Sequence, residues 1–245
     1  MPDDHRFPQK AVIRIYPDDV MLEPLHLDAG SFQSPTPVQN YHQIFADDAI
    51  GLAVGVWDTT TTQEAFGPYP GDEFITVLDG TFAIVDGLGG AVTGTAGQSA
   101  TFRNGIPVSW KQDGYLRKIY LTLQPLDDQP RAPLSAMGGV RVLDPARQVR
   151  GGGHGFDRVV REILFRNDAG TMEVAHSVYP AMVQPAATAV AHELCRVISG
   201  EIALTDAAGK IARFGPGDHF FVPRGAISAR DISPGTAAWH VLITA

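Results

Sequence analysis

Two acidic residues each open an apolar, strand-like segment of the sequence. Glu73 precedes the apolar run of "EFITVLDG", and Glu193 precedes the run of "ELCRVISG". A buried carboxylate is costly unless a cation, a hydrogen-bond donor or a metal ion compensates its charge. In an apolar pocket its pKa rises, and it becomes a candidate general acid or base. Each glutamate is therefore predicted to be a catalytic group, a partner of a cation, or an anchor bonded to backbone N–H groups or to an arginine.

The neighbours of the two acids are mostly apolar. Side chains alternate along a strand, so Ile75 shares a face with Glu73, and Cys195 shares a face with Glu193. Cys195 can act as a nucleophile if a base lowers its pKa. A lone cysteine on an apolar strand is more often a small core residue. Lys118, in "RKIYLTL", could point inward and neutralise Glu73.

The two acids belong to an internal repeat. One offset of 120 residues aligns them and also aligns the pairs Gly80 and Gly200, Ala83 and Ala203, Asp86 and Asp206, Gly89 and Gly209, Gly97 and Gly217, and Gly105 and Gly225. A constant spacing of turn glycines indicates duplication of one unit. Short apolar or alternating runs between Gly and Pro are typical of β-strands. The sequence therefore predicts two similar all-β domains.

The boundary between the domains is marked by composition. The segment "QPLDDQPRAPLSAMGG" is rich in proline and acid, as linkers are. We predict an N-terminal domain over residues 1–127, a linker over 128–155 and a C-terminal domain over 156–245. The strand-like segments "AVIRIYPDDVMLEPL" and "RVVREILF" precede the two domains without following the offset. We expect them to be extra strands that pack on or between the domains.

Composition limits the partners. The chain of 245 residues has a net charge of −8 and no dense cluster of Lys and Arg, which argues against nucleic acid and membrane surfaces as partners. A single cysteine excludes an intrachain disulfide and favours the cytoplasm. The first residues, "MPDDHRFPQK", lack the layout of a signal peptide. We expect a soluble protein whose partner is a small-molecule ligand.

The spacing of Glu73 and several glycines resembles the motifs of a known family. Six residues separate Glu73 from Gly80, and Gly97, Arg103 and Gly105 follow with gaps of five residues and one, as in the two motifs of cupins. "GPGDHFFVPRG" looks like a nearly complete second motif. The chain thus resembles a bicupin, which implies an all-β fold of two tandem cupin barrels, each a double-stranded β-helix or jelly roll. Cupins commonly pair through sheet edges, so a homodimer is also expected.

The first half is similar to a more specific group. "GVWDTT", "FGPYPGDEF" and "RKIYLTL" resemble the uncharacterised subfamily related to ureidoglycine aminohydrolase and glyoxylate-induced proteins. The resemblance to ureidoglycine aminohydrolase fails at its metal ligands, which would fall on Ala187, Ala189 and Glu193. Its activity is therefore not transferred.

The resemblance implies a metal held by two histidines and a glutamate of the first motif and a histidine of the second. Here the first-half histidine positions hold Phe66 and Pro68, or Gly67 and Tyr69, and then Val108; the second half has Ala186 and Thr188, or Ala187 and Ala189, and then Ser228. These residues predict no cofactor, because one carboxylate does not hold a transition metal tightly. Binding of a divalent metal (Mn, Fe, Ni or Zn) is left open only if histidines outside the motifs act as ligands. Those on second-half strands are His176, His219 and His240.

Further pocket residues are expected at the barrel mouths. Arg103 replaces the proline of the second motif, and Trp110 lies close behind it, a pair that suits a carboxylate or planar ligand. An ion pair of Arg103 with Asp72 is the alternative. Ser228 is expected to line the second pocket. His192 is adjacent to Glu193, and alternation directs it to the opposite face.

Two functions fit this pattern, and the sequence leaves open whether the protein is an enzyme. The first is a small-molecule-binding bicupin with degenerate metal sites, acting as a sensor or accessory protein in small-molecule catabolism. The second is a cupin enzyme for a small ureido, amino or carboxylic acid compound. It would use Glu193 or Glu73 as acid or base, or an off-motif metal in the second barrel.

Overall fold

The computed structural model describes residues 11–124, 139–146 and 157–244. These residues form β-strands and turns, with one short 3-10 helix at Ala29–Ser31. Within the described ranges, no helix has the length and hydrophobicity needed to cross a membrane. Two compact units are formed, one by residues 17–147 and the other by residues 1–16 together with 148–245. We call them the N-terminal barrel and the C-terminal barrel.

The strands are short and numbered in chain order. They are β1 (Ile13–Ile15), β2 (Glu23–Pro24), β3 (Gln39–Asp47), β4 (Leu52–Thr59), β5 (Thr62–Gln63), β6 (Gly67–Pro68), β7 (Asp72–Asp79), β8 (Thr81–Asp86), β9 (Ala91–Thr95), β10 (Ser99–Phe102), β11 (Pro107–Gln112), β12 (Leu116–Leu123), β13 (Val140–Leu143), β14 (Val160–Arg166), β15 (Met172–Val178), β16 (Met182–Thr188), β17 (His192–Ser199), β18 (Ile202–Asp206), β19 (Ile211–Phe214), β20 (His219–Val222), β21 (Ile227–Ile232) and β22 (Ala237–Ile243).

Each barrel consists of one larger and one smaller antiparallel sheet. In the N-terminal barrel the larger sheet has the order β13-β10-β7-β12-β4-β3-β2, and the smaller has the order β5-β11-β8-β9 with β6 also paired to β11. In the C-terminal barrel the corresponding orders are β1-β20-β17-β22-β15-β14 and β16-β21-β18-β19. This is the predicted all-β fold of two tandem cupin barrels.

The offset of 120 residues is confirmed in the strands themselves. β7 and β17, β10 and β20, and β11 and β21 begin and end at positions related by this offset. The turn glycines Gly80 and Gly200 have φ values of 84° and 75°. A Cβ at Gly80 would lie 2.3 Å from the carbonyl oxygen of Tyr115, which precedes β12, and one at Gly200 would lie 2.3 Å from the hydroxyl of Thr236, which precedes β22. Glycine is therefore required at both positions.

The repeat is longer than the sequence suggested. "RVVREILF" does follow the offset, because β14 is related by it to β3 rather than to the first lead-in segment. Even the irregularity in the strand pairing is repeated, between Gln43 and Phe45 in β3 and between Ile163 and Phe165 in β14. Few residue types are identical at the related positions of the two strands. The repeat is therefore visible in the strand pairing and not in the sequence.

The lead-in segment at the N-terminus is divided between the barrels, because its strand β2 pairs with β3 of the N-terminal barrel, as predicted, and its strand β1 does not. β1 pairs with β20 of the C-terminal barrel, whereas the prediction placed residues 1–127 together. Part of the predicted linker is also a strand, since β13 pairs with β10 of the N-terminal barrel. Each of the two strands lies at an edge of a larger sheet. The remaining linker residues, 128–138 and 147–155, lie outside the described residues.

The interior of each barrel is apolar, as expected for strands buried on both faces. The N-terminal interior is formed by Ile75 and Val77 of β7 together with aromatic residues of β8, β10 and β11. The C-terminal interior contains Cys195 and Val197 of β17. Both results confirm the predicted alternation, in which the face that carries each acid points inward.

Candidate functional site

The C-terminal barrel holds Glu193 in a network of charged side chains. Glu193 lies on β17, Arg230 on β21 and His240 on β22, so three strands bring the groups together. One carboxylate oxygen accepts a hydrogen bond from Nη1 of Arg230 at 3.1 Å, and the other oxygen accepts from Nη2. Nδ1 of His240 lies 2.6 Å from Oε1 of Glu193. The carboxylate is thus bonded on both oxygens by side chains of its own barrel.

The network extends from His240 toward the barrel surface. The hydroxyl of Tyr179, the residue that follows β15, lies 2.8 Å from Nε2 of His240. Tyr179 is half-buried and packs, with Met182 and Ala189, against the apolar interior. Glu193, His240 and Tyr179 therefore form a continuous chain of hydrogen bonds.

Electrostatics fixes the charges of the pair at the centre. Burial by itself would raise the pKa of Glu193, but the charge of Arg230 and the hydrogen bonds with His240 and Arg230 hold it well below its ordinary value. Burial by itself would lower the pKa of Arg230, and Glu193 raises it instead. Glu193 is therefore a carboxylate and Arg230 a guanidinium at neutral pH. An acid with a lowered pKa is a poor proton donor or acceptor, which argues against Glu193 as the general base itself.

Cys195 lies beside this network and is fully buried. Burial, and then the negative charge of Glu193, raise the pKa of its thiol well above the ordinary value. The thiol is protonated at neutral pH, which is the condition of an unreactive core cysteine.

Three of the described residues in and beside this network could together hold a metal ion. One ligand atom each from Glu193, Cys195 and His240 lie within 4.8 Å of one another. A cation bound there must replace the bidentate contact of Arg230 with Glu193, and it needs the thiolate of Cys195. The residues present fit an internal ion pair better than a resident metal ion.

The N-terminal barrel neutralises its acid in a different way. Nζ of Lys118, on β12, lies 2.9 Å from Oε1 of Glu73, and the hydroxyl of Tyr69 donates to the other oxygen. Nζ of Lys118 also lies 4.9 Å from the ring centres of Trp57 and Trp110. The amine of Lys118 thus lies against both a carboxylate and two indole rings. Tyr69 stands at one of the positions where the cupin motif has a histidine.

A second acid approaches this cluster. Glu64 is half-buried, and burial raises its pKa, an effect that Lys118 opposes and Glu73 reinforces. Burial and the charge and hydrogen bond of Glu73 likewise raise the pKa of Tyr69. The ion pair between Lys118 and Glu73 compensates the charge of the buried carboxylate directly, as the sequence suggested.

Two of the three off-motif histidines do not face Glu193. Directly paired residues of neighbouring strands share a face of the sheet. Trp239 pairs with both His176 and Arg196, and Arg196 also pairs with His219, so both histidines lie on the face of Trp239. Cys195 pairs with His240 on the opposite face. The prediction that His176 and His219 could form a metal site with Glu193 is therefore wrong, because strand alternation directs them away.

The two histidines that face away are also uncharged at neutral pH. Burial lowers the pKa of His176, and burial together with Arg196 lowers that of His219 to about 3.

The other predicted residues have mixed outcomes. His192 packs on the sheet as expected, with its ring stacked on Phe221 at 5.9 Å. Trp110 is buried and stacks on Phe82 at 4.7 Å. Ser228 is buried on β21, on the same face as Arg230. Arg103 follows β10, and its backbone N–H donates to the Gly139 carbonyl oxygen at 2.8 Å. A ligand-binding role for Arg103 stays a prediction.

Sequence reasoning missed Arg230 and Tyr179. The offset of 120 residues relates Arg230 to Trp110, and strand alternation places it on the same face as Ser228. Trp110 and Ser228 are predicted pocket residues, so the sequence did contain grounds for predicting Arg230 as well. Tyr179 lies beyond the end of its strand and outside both motifs. No pattern in the sequence indicates that it reaches His240.

Comparison with known proteins supports the fold. The family model of the EutQ-like cupin domain (Cupin_3) matches residues 167–245, which lie in the C-terminal barrel. The chain is 19% identical to a structure of a protein of unknown function from Pseudomonas syringae pv. tomato str. DC3000, of the DUF861 family, with a TM-score of 0.69 over 96% of this chain and 100% of that one. No curated protein matches the sequence.

Two further solved structures span most of the chain. One, from Pseudomonas aeruginosa, is provisionally named a glyoxylate-induced protein and is 14% identical, with a TM-score of 0.61 over 100% of this chain and 94% of that one. The other, from Nostoc punctiforme PCC 73102, is provisionally named a dioxygenase and is 13% identical, with a TM-score of 0.64 over 96% of this chain and 83% of that one. Such identities establish the fold alone. Residues 167–245 thus match a cupin domain model, and the whole chain has the fold of two tandem cupin barrels.

Proposed function

We propose that the protein binds a small organic molecule without a metal ion and that the C-terminal barrel is its binding barrel. One observation carries this proposal: in each barrel the acid at the metal-ligand position is paired to a cationic side chain, Glu193 to Arg230 and Glu73 to Lys118. The guanidinium or ammonium takes the place of the ion. A carboxylate that is already neutralised has less affinity for a dication.

The C-terminal barrel is the better binding site because its cationic side chain is more exposed than that of Lys118, which is 10% exposed. The Arg230 side chain is 19% exposed, and Tyr179 is half-buried. The positions of the absent histidines hold the short side chains of Ala187, Ala189 and Ser228. In the N-terminal barrel the corresponding space is occupied by Tyr69 and by the indole rings around Lys118. The C-terminal barrel therefore combines polar partners for a ligand with short side chains at these positions.

The partners at this site favour a small acid or a ureido or amino compound. Arg230 has five N–H groups, of which two donate to Glu193, and a guanidinium suits a carboxylate or a planar ureido oxygen. The hydroxyls of Tyr179 and Ser228 can accept from N–H groups or donate to oxygen. The Pseudomonas aeruginosa structure is provisionally named a glyoxylate-induced protein, and glyoxylate is a small acid. We place the protein in small-molecule catabolism, as a sensor or accessory protein.

Ligand binding can be tested by thermal shift. Glyoxylate and N-carbamoylglycine, as a small acid and a ureido acid, are added to chelator-treated protein. A ligand at 100 times its Kd stabilises the folded state by about 2.7 kcal/mol, which is a shift of several degrees. Arg230→Met is expected to abolish the shift, whereas Lys118→Met in the N-terminal barrel retains it. Equal shifts in both variants, or none in the wild type, contradict the proposal.

A second function rests on the grouping of Glu193, Cys195 and His240. If these residues exchange Arg230 for a divalent ion, the barrel becomes a metalloenzyme site with open positions for substrate. One Mn, Fe, Ni or Zn ion per chain, lost in Cys195→Ala, would favour this function over the first.

A further inference from the structure

Glu193, His240 and Tyr179 have the connectivity of an acid, an imidazole and a hydroxyl. Nδ1 of His240 lies 2.6 Å from Glu193, and Nε2 lies 2.8 Å from the Tyr179 hydroxyl. If Nδ1 carries the proton and donates to the carboxylate, Nε2 has its lone pair directed at the Tyr179 hydroxyl. A base held by a third group and hydrogen-bonded to a hydroxyl is the general arrangement of an activated nucleophile.

The two bonds to Arg230 keep Glu193 in position. Arg230 contacts both oxygens of the carboxylate, so the acid is charged and cannot rotate freely. A charged, fixed carboxylate stabilises the imidazolium that forms when His240 takes up a proton. Glu193 therefore acts through His240 as a positioning residue.

The hydroxyl at the end of this chain is a phenol with a raised pKa, so it needs a base to react. Burial raises the pKa of Tyr179 to about 12, an effect to which Cys195 and Glu193 add and which a hydrogen bond with Ser177 opposes. Tyr179 is thus protonated at neutral pH, and its reactivity depends on proton transfer to His240. The hydroxyl of a serine nucleophile depends on its histidine in the same way.

We propose that Tyr179 is a nucleophile for small electrophilic acyl compounds, activated by His240 and Glu193. The inference rests on the proposed function, since the acyl compound must reach the same polar network of the C-terminal barrel. The Tyr179 oxygen forms a bond to the acyl carbon while its proton passes to Nε2 of His240. The bond to the leaving group then breaks, and the leaving group takes that proton. Water, deprotonated by His240, hydrolyses the acyl-tyrosine and restores both residues.

The N-terminal barrel provides the contrast. There Glu73 accepts directly from Tyr69, and the offset places Tyr120 where the second barrel has His240. Tyr115, on the same barrel, also donates directly to a carboxylate, that of Asp58, at 2.9 Å. These hydroxyls have a carboxylate partner without an intervening imidazole. Tyr115 is therefore a natural reference for a tyrosine that His240 does not activate.

The probe is p-nitrophenyl acetate with the full-length protein at neutral pH. Release of p-nitrophenolate is followed by absorbance, and the acetylated tyrosine is located by peptide mass spectrometry. We expect acetylation of Tyr179 to exceed that of Tyr115, although Tyr115 is 44% exposed. Tyr179→Phe removes the label, and the matched variant Tyr115→Phe leaves it unchanged.

The role of the imidazole is tested by chemical rescue. His240→Ala is expected to lower the rate of Tyr179 acetylation by about 100-fold, the lower range for a positioned base, and added imidazole restores part of it. Glu193→Gln is expected to lower the rate and to change the ¹⁵N shifts of His240, because the Nδ1–H tautomer loses its charged partner. A purely structural role of His240 would give no rescue.

The outcomes separate this inference from the binding proposal. Tyr179 acetylation no faster than that of Tyr115, or an unchanged rate in His240→Ala, overturns the nucleophile. A ligand-induced thermal shift in the wild type would in that case leave the binding proposal standing. Rapid acetylation of Tyr179 without any thermal shift by glyoxylate or N-carbamoylglycine would support the nucleophile and contradict the ligand class.

Discussion

Arg230→Met leaves the carboxylate of Glu193 buried without its guanidinium partner. Methionine fills much of the volume of the arginine stem but carries no charge. In the wild type both partners are largely buried, with side-chain exposures of 19% for Arg230 and 10% for Glu193. His240 remains at 2.6 Å from the carboxylate, so one partner of the acid is kept.

The expected loss follows from the burial of the pair. Removing one partner of a buried ion pair costs about 3–5 kcal/mol of unfolding free energy. Because Arg230 is partly exposed and His240 still contacts Glu193, we expect the lower end, about 3 kcal/mol. The double variant Glu193→Gln with Arg230→Met carries no stranded charge, and replacing both partners of such a pair is often neutral. It should therefore be more stable than Arg230→Met.

The loss of unfolding free energy in Arg230→Met should also increase as the pH rises. In the wild type the pKa of Glu193 is lowered, so its contribution is present above the unfolded pKa of about 4.3 and is lost as pH falls through the folded value. In Arg230→Met burial raises the pKa of Glu193, and the destabilisation grows as pH rises from the unfolded value to the folded one. The deficit against the wild type should be larger at pH 7 than at pH 5.

The assay is urea denaturation at both pH values. Hydrogen exchange of β17 assigns the transition to the C-terminal barrel, since the chain has two barrels and need not unfold in one step. A deficit that is the same at pH 5 and pH 7, or a double variant as unstable as Arg230→Met, would refute the reasoning that Arg230 compensates Glu193.

Two further predictions follow from the same structure. Lys118→Met should destabilise the N-terminal barrel by about 3 kcal/mol, and Lys118→Arg should cost less because it keeps the charge beside Glu73; equal losses in urea denaturation would contradict the ion pair. A homodimer is proposed from the cupin resemblance, and light scattering should give twice the mass of the chain, whereas a monomeric mass at micromolar concentration counts against it.

The sequence predicted the fold well because the fold is encoded by turns and by spacing. Gly80 and Gly200 occupy turns with positive φ, so their positions survive when strand residues change. The same dependence on glycines explains why the relation between β3 and β14 was missed, since their side chains differ. The pairing of β1 with β20 could not be predicted either, because an edge strand of three residues can complete any sheet of matching register.

The site was predicted less completely. Glu193, Glu73 and Lys118 could be found because an acid in an apolar strand requires a partner. His176, His219 and His240 could not be separated without the strand register, which directs only His240 toward Glu193. The identity of each internal cation depends on which strands face each other across the barrel.

The most direct test of the central claim is a comparison of metal binding by the wild type and Arg230→Met. Both proteins are purified without chelator or added metal, supplemented with Mn, Fe, Ni or Zn, desalted and analysed by plasma mass spectrometry. If the guanidinium of Arg230 takes the place of an ion, the wild type retains no stoichiometric metal. Arg230→Met, in which Glu193, Cys195 and His240 are released from the ion pair, binds zinc more tightly. About one ion per chain in the wild type, with no gain in the variant, would contradict the account.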